Sequence, residues 1–260
     1  NTSGTESTAV GKLALFTATT AALNVAVGNE ALRLTTTGGS NTAVGRESGY
    51  SGTTHSGSVY IGEQAGYSVT TGNQNIAIGH DAMNGATTTG DNNIAVGSQQ
   101  TLDALTSGFL NIAIGGKAGS AINTGNTNTV IGFQSGLSLT TASGSVAIGT
   151  SAMAIATTGN NNIAIGNAAA NGGNTTGDNN ISIGTTAGDA LTSGHTNIFI
   201  GKNAGVDLTT GIQNIAIGEA ALDAADGAED YNIAIGQNSL GTLNNDGAQY
   251  NIAIGADSVA

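Results

Sequence analysis

The stretch Asn75-Ile76-Ala77-Ile78-Gly79 decides the fold, because it or a close variant occurs fifteen times in 260 residues. The glycines that close the copies, called the motif glycines below, are Gly11, Gly28, Gly45, Gly62, Gly79, Gly97, Gly115, Gly132, Gly149, Gly166, Gly184, Gly201, Gly218, Gly236 and Gly255. Nine intervals between them are of 17 residues, four are of 18 and one is of 19. A motif that returns at so constant an interval predicts a repeat protein in which each copy belongs to one structural unit.

Each position of the motif has its own residue type. The residue before the motif glycine is always Val or Ile, the residue three before it is always β-branched, and the residue between them is Ala in eleven copies. This alternation is typical of a β-strand, and a unit of 17 residues is too short for a strand-helix-strand crossover. We therefore predict an all-β fold, a parallel β-solenoid or β-roll of about 15 coils with 17–19 residues each. Each coil would hold one strong and one weaker strand, and the stack would form a rod of roughly 70 Å.

The repeat occupies the whole chain, so residues 1–260 are predicted to form one repetitive region. Asn1 and Ala260 both fall partway through a unit, and we therefore expect a segment of a longer fibre. The motif glycines are predicted to lie at corners of the coil, since glycine reaches positive φ without a Cβ penalty. The residue four before the motif glycine is Asn in twelve copies and Ser in three. Stacked Asn side chains can hydrogen-bond along the solenoid axis, which predicts an Asn ladder.

The two faces of the motif strand lead to a prediction about assembly. We expect the Ile and Val columns to fill the coil interior and the Ala column to lie on the opposite face. That face would be an uncharged strip, which soluble monomers rarely expose over a large area. The strip is predicted to pack against copies of the same chain, giving a homotrimeric rod or a filament. The predicted interface residues are Ala26, Ala43, Ala77, Ala95, Ala113, Ala147, Ala164, Ala216, Ala234 and Ala253.

One alternative arrangement and one observation leave the packing of this strip open. Side chains of the second strand or an end cap could cover the strip within a monomer. Tyr60 and Phe199 stand in the Ala column, so they either need local room or lie on the outside.

The composition argues against several classes of partner. The formal net charge is -12, with 5 Lys and Arg residues against 17 Asp and Glu residues, and aromatic residues make up 3% of the chain. Such a chain is a poor ligand for nucleic acid or for an anionic membrane surface. No apolar run approaches the roughly 20 residues of a membrane helix, so we predict no membrane insertion by this segment. The chain has no cysteine, which excludes disulfides and thiolate metal sites.

The sequence offers few candidates for chemistry, and we predict no catalytic residue, no cofactor and no enzymatic activity. His55, His80 and His195 fall at different positions of their units, which favours solvated loop histidines. A weak candidate for calcium is the acidic stretch near the C-terminal end, because hard cations prefer several oxygen ligands. That stretch contains Asp223, Asp226, Glu229 and Asp230, but it lacks a Ca²⁺-loop pattern, and solvated side chains are the favoured interpretation.

Two stretches carry a resemblance to known repeat families. Ser145-Val146-Ala147-Ile148-Gly149 resembles the head repeat of trimeric autotransporter adhesins, whose heads are left-handed parallel β-rolls with three chains side by side. Asn41-Thr42-Ala43-Val44-Gly45, together with the Thr-Thr-Gly that follows in many units, resembles a repeat of bacterial surface proteins and phage tail fibres. The resemblance covers essentially the whole chain, although the interval here is longer than in the typical autotransporter head.

The resemblance implies a non-enzymatic structural and adhesive fibre, an extracellular rod whose outer loops make multivalent contacts at a cell or virion surface. Its partners would be further copies of the chain and an unknown surface receptor, a glycan or a protein. A phage tail fibre or appendage for host recognition is the second interpretation. The third is a monomeric ice-binding or carbohydrate-binding solenoid. Ice binding favours regular Thr-x-Thr arrays, whereas adjacent threonines such as Thr70 and Thr71 point to opposite faces of a strand.

Overall fold

The computed structural model describes residues 5–224, 227–243 and 248–259. It divides into two compact units, Asn1–Thr127 and Asn128–Ala260, each built of short strands joined by tight turns. The strands of the first unit are β1 (Thr8–Val10), β2 (Val25–Val27), β3 (Thr42–Val44), β4 (Val59–Ile61), β5 (Ile76–Ile78), β6 (Ile94–Val96) and β7 (Ile112–Ile114). Those of the second are β8 (Thr129–Ile131), β9 (Val146–Ile148), β10 (Ile163–Ile165), β11 (Ile181–Ile183), β12 (Ile198–Ile200), β13 (Ile215–Ile217), β14 (Ile233–Ile235) and β15 (Ile252–Ile254).

Consecutive strands within each unit pair in parallel and in motif register. Ala77 in β5 faces Ala95 in β6, and Ala147 in β9 faces Ala164 in β10. The described residues contain no helix. The predicted all-β parallel solenoid, with one strand for every copy of the motif, is therefore confirmed.

The weaker second strand of each coil does not form as a strand. Only isolated bridges occur outside the motif among the described residues, Val69 with Thr88 and Asp230 with Gln249. The turns are nevertheless paired between coils, as where the N–H of Leu32 donates to the carbonyl of Ser48 at 2.9 Å. Backbone pairing therefore continues around much of the coil, which satisfies polar groups that the short strands leave free.

The motif glycines lie at corners, as predicted. Gly62 has a φ of 130°, and a Cβ there would lie 2.7 Å from the carbonyl oxygen of Gly79 in the next coil. Other corners use residues with side chains in the left-handed region, among them Glu30 at 60° and Leu32 at 49°. Such a conformation costs roughly 1–3 kcal/mol for a non-glycine residue, so the surrounding structure must hold it. The sequence pattern did not reveal these corners, because glycine occupies them in only some of the coils, as at Gly66 and Gly205.

The prediction of which strand face is interior was wrong. The predicted interface residues, Ala26, Ala43, Ala77, Ala95, Ala113, Ala147, Ala164, Ala216, Ala234 and Ala253, have side chains inside their own coils and are at most 5% exposed. The Ile and Val residues on either side of each Ala point outward. The narrow interior explains this inversion, since it must also hold larger side chains from the turns, such as Leu32 and Met83, which are fully buried.

The Asn ladder is confirmed within both units, and it shares the inner face with the Ala column. In the first unit the N–H of Asn93 donates to Oδ1 of Asn75 at 2.9 Å, and the N–H of Asn111 donates to Oδ1 of Asn93 at 3.0 Å. The Nδ2 of Asn93 donates to the carbonyl of Gly108 at 3.0 Å. Each buried Asn thus ties neighbouring coils together through both ends of its amide. Serine can take the acceptor role, since Oγ of Ser58 accepts from the N–H of Asn75 at 3.2 Å.

Tyr60 and Phe199 lie inside the coil, where glycines make the local room. Both rings are fully buried. A Cβ on Gly49 would lie 2.6 Å from Cδ2 of Tyr60, and one on Gly188 would lie 2.8 Å from Cδ2 of Phe199. Four residues after the motif glycine, coils with Ala in the strand can place Leu or Met, whereas the coils of Tyr60 and Phe199 place glycine. In these two coils a large residue in the strand is therefore matched by glycine in the turn.

His55 contradicts the prediction of a solvated loop histidine. Its side chain is fully buried and lies with its ring centroid 5.5 Å from that of Tyr60. Gly52 leaves the space that the imidazole fills. Within the described part of the chain, neither ring nitrogen has a hydrogen-bond partner. Burial lowers the pKa of His55 to about 4, so the ring is neutral at pH 7.

Candidate interaction surface

The outward face of the strands is an apolar feature of the surface that recurs in every coil. In each unit it consists of the first and third residues of every strand, called the outer strip below. The motif glycine and the inward Ala fix the direction of these side chains. Several of them are exposed beyond a third of their surface, including Ile61 at 41%, Ile114 at 39% and Ile200 at 36%. Because paired strands lie about 4.8 Å apart, the strip is a continuous double row of branched side chains within each unit.

The outer strip carries no charged residue. Its positions hold Ile and Val, with Thr8, Thr42 and Thr129 as the only polar members. The strand backbone beneath is paired on both sides in the interior of each unit, as the partners of β3 and β13 show. The strip therefore offers a regular surface of methyl groups without free backbone donors. Its chemistry fits another apolar surface and does not fit a polar ligand.

A mostly polar column borders the strip, formed by the residues directly after the motif glycines, with Gly116, Phe133 and Ala256 as its exceptions. Arg46 pairs there with Glu63 of the next coil, and Nζ of Lys202 lies 3.3 Å from Oε1 of Glu219. The hydrogen bond from Arg46 lowers the pKa of Glu63. These exposed pairs contribute little stability. They do define a polar rim along one edge of the strip, which is the arrangement expected at the margin of an interface.

Among the described residues, the acidic stretch does not group its side chains into a metal site. Oε2 of Glu229 accepts the N–H of Gly227 at 3.1 Å, and Oδ1 of Asp230 accepts the N–H of Ile212 at 2.8 Å. Burial raises the pKa of Asp223, while Asp226 lies outside the described residues. Across residues 5–224, 227–243 and 248–259, no three or more acidic or histidine side chains are grouped to hold a metal ion.

The other two histidines lie on the surface, as predicted. His80 is exposed, and its Nδ1 lies 3.1 Å from Oδ2 of the neighbouring Asp81. His195 is exposed, and its Nδ1 lies 3.2 Å from Oγ1 of Thr196. Both contacts join residues that are adjacent in sequence.

The threonine pairs divide between two environments, as strand-like alternation predicts. Oγ1 of Thr36 donates to the carbonyl of Thr53 at 3.1 Å, and Oγ1 of Thr140 donates to that of Thr157 at 3.2 Å. The second threonine of a pair, such as Thr37, is exposed. One hydroxyl of each of these pairs is therefore used between coils, which leaves a single outward column and no Thr-x-Thr array.

No family model, curated protein or solved structure matches the chain. In the parts of the chain that the structure describes, no helix is both long and apolar enough to cross a membrane.

The outer strip, whose Ile and Val residues were predicted to lie inside the coil, is the leading candidate for a functional surface. A signal for it was present in the sequence. The Asn column needs burial to form its ladder, and it shares a strand face with Ala.

Proposed function

We propose that the protein is a segment of a non-enzymatic structural and adhesive fibre, in which copies of the chain pack side by side through the outer strip. The observation that carries the proposal is the uncharged double row of Ile and Val on the strands of both units. The loops on the remaining faces would then present repeated, weak contacts to a receptor at a cell or virion surface. Many weak contacts on one assembly give high avidity without any single strong site.

A second copy of the same chain is the occupant that fits the strip best. The strip repeats with the coil, so an identical strip can match it over its whole length. Burial of apolar surface stabilises association by roughly 25 cal/mol per Å², and small gains at each coil add along the strip. Rotationally repeated packing closes a ring, after which no copy has an uncovered strip. The resemblance to trimeric adhesin heads supports three copies.

The proposal is tested by the absolute mass in solution, measured by light scattering after size-exclusion chromatography. We expect a multiple of the 25.2 kDa chain mass, with three copies as the predicted number. Ile94→Glu together with Ile181→Glu places charges on the strips of both units and should give monomers. Thr37→Glu with Thr158→Glu adds the same charge on exposed turn positions and should leave the mass unchanged. A monomeric unmodified protein would overturn the proposal.

A further inference from the structure

Two concave notches occur at equivalent places on the turn side of the coils, one in each unit. The notch of the first unit has a volume of about 300 Å³ and is lined by residues 89–92 with Ser107, Phe109 and Leu110. The notch of the second unit has a volume of about 440 Å³ and is lined by residues 176–179 with Ser193 and His195. Both volumes fall in the range of small-molecule sites, which is about 300–1,000 Å³.

The notches share two identical stretches of sequence. Thr-Thr-Gly-Asp-Asn-Asn occurs at residues 88–93 and again at 175–180, and Asp-Ala-Leu-Thr-Ser-Gly occurs at 103–108 and again at 189–194. Each notch also belongs to a coil of 18 residues, between Gly79 and Gly97 or between Gly166 and Gly184. Both occurrences of this pair of stretches coincide with a notch, so the two notches are built from the same residues in the same arrangement.

The acidic side chain of each notch is held in the same way. Oδ1 of Asp91 accepts the N–H of Asn73 at 2.6 Å and its Nδ2 at 3.3 Å. Oδ1 of Asp178 accepts the N–H of Asn160 at 2.6 Å and its Nδ2 at 3.3 Å. Among the described residues, Oδ2 of neither aspartate makes a hydrogen bond. By contrast, Asp230 at the same position of a later coil has its Oδ2 in contact with Nε2 of Gln249 at 3.4 Å.

The lining combines hydrogen-bonding groups with one ring. Each notch has a fixed carboxylate, the hydroxyls of a Thr and a Ser, and an Asn side chain. A ring stands beside them, Phe109 in the first unit and His195 in the second. Adjacent acceptors and donors suit the vicinal hydroxyls of a sugar, and a ring offers an apolar face to the C–H side of a pyranose. One carboxylate per notch is too few oxygen donors for a hard cation.

We infer that the two notches bind neutral pyranose sugars, one in each unit. Neither notch has a lysine or arginine in its lining, and the net charge of -12 disfavours anionic sugars. The inference rests on the proposed function in that it names the receptor chemistry of the fibre. Weak sites repeated on each chain, and again on each copy, would bind a polysaccharide or a glycan-covered surface with high avidity.

The test uses the intact protein and the methyl glycosides of glucose, galactose, mannose and N-acetylglucosamine. Saturation-transfer NMR detects the bound sugar, and the histidine ring signals report where it binds. We expect at least one glycoside to shift the ring signals of His195 and to leave those of exposed His80 unchanged. The variant with Ser107→Ala, Phe109→Ala, Ser193→Ala and His195→Ala should weaken binding by about tenfold or more. Thr124→Ala with Thr158→Ala, on exposed turn positions outside the notches, is the matched control.

Two results would overturn the inference. One is that none of the four glycosides shifts the His195 signals. The other is equal saturation transfer to a glycoside in the unmodified protein and in the fourfold variant. The mass of each variant, measured in parallel by light scattering, separates this inference from the proposed function. A trimer without sugar binding rejects the notches alone, and a monomer that binds sugar rejects the assembly alone.

Discussion

A Cβ on Gly205 would lie 2.6 Å from Cδ1 of Phe199, so the glycine and the buried ring occupy one shared space. The next coil uses the same space differently, with Ala216 in the strand and Leu222 in the turn, both fully buried. Gly205 and Leu222 have nearly equal φ values of 57° and 55°. The backbones of these two coils are thus alike at this corner, and the large side chain lies in the strand of one coil and in the turn of the other.

This exchange predicts strong coupling between Phe199 and Gly205. Phe199→Ala alone should cost roughly 3–5 kcal/mol because it leaves a cavity. Gly205→Leu alone should cost about 1–3 kcal/mol or more because it overpacks the coil. The double variant places Ala in the strand and Leu in the turn, as Ala216 and Leu222 do. Its loss in free energy of unfolding should therefore be smaller than the sum of the two single losses. Urea denaturation measures the three free energies of unfolding, and simple additivity would contradict the exchange.

The Asn ladder predicts that one buried amide stabilises its neighbours. Asn93→Ala removes the acceptor for the N–H of Asn111 and the donor to the carbonyl of Gly108. Each group left unsatisfied costs about 1–3 kcal/mol. Asn93→Ser should cost less, since Ser58 fills the same role in another coil. Asn29→Ala, at an exposed turn position, is the control and should change the free energy of unfolding little. Equal losses for Asn93→Ala and Asn29→Ala would contradict the ladder.

His55 predicts a loss of stability in acid. Its folded pKa of about 4 lies below the unfolded value of about 6.5. Above pH 6.5 the ring is neutral in both states and contributes no pH dependence. As the pH falls from 6.5 to 4 the unfolded chain takes up the proton first, so the folded state loses up to about 3 kcal/mol.

The matched variant is His55→Phe, which keeps a ring in the space beside Gly52 and cannot titrate. The free energy of unfolding of each protein is measured from pH 7.5 to pH 4, and the difference between the two curves isolates the histidine from the carboxylates. We expect the free energy of unfolding of the unmodified protein to decrease relative to that of the variant as the pH falls. Parallel curves would show that the ring is not held neutral by burial.

The fold was predictable from sequence, whereas hydrophobicity alone predicted the wrong direction for the strand faces. A constant interval and β-branched alternation define parallel coils, and glycine marks one corner of each. Alternation defines two faces without saying which is inside, and the higher hydrophobicity of Ile and Val pointed the wrong way. The ladder residue Asn75 and the following Ala77 lie two apart, so the buried ladder places Ala inside. The location of His55 was not predictable, because its burial depends on the space that Gly52 leaves.

The notches were not predicted from the sequence, although a repeated pair of turn sequences indicates them. The recurrence of residues 88–93 and 103–108 at 175–180 and 189–194 stands out only when turn sequences are compared across five coils. Because the short motif recurs in every coil, the longer similarity between these turns is less conspicuous. Turn residues also adopt left-handed conformations without glycine, and strand propensity says nothing about the concave surface they form.

Cysteine cross-linking tests the central claim, that copies of the chain pack through the outer strip. The chain has no cysteine, so a single introduced thiol reports one position. Ile148→Cys lies on the strip, and Thr141→Cys lies on an exposed turn position. Under mild oxidation we predict that Ile148→Cys forms covalent dimers in high yield at low protein concentration, while Thr141→Cys remains monomeric on a denaturing gel. Equal cross-linking of the two variants, or none at Ile148→Cys, would contradict packing through the outer strip.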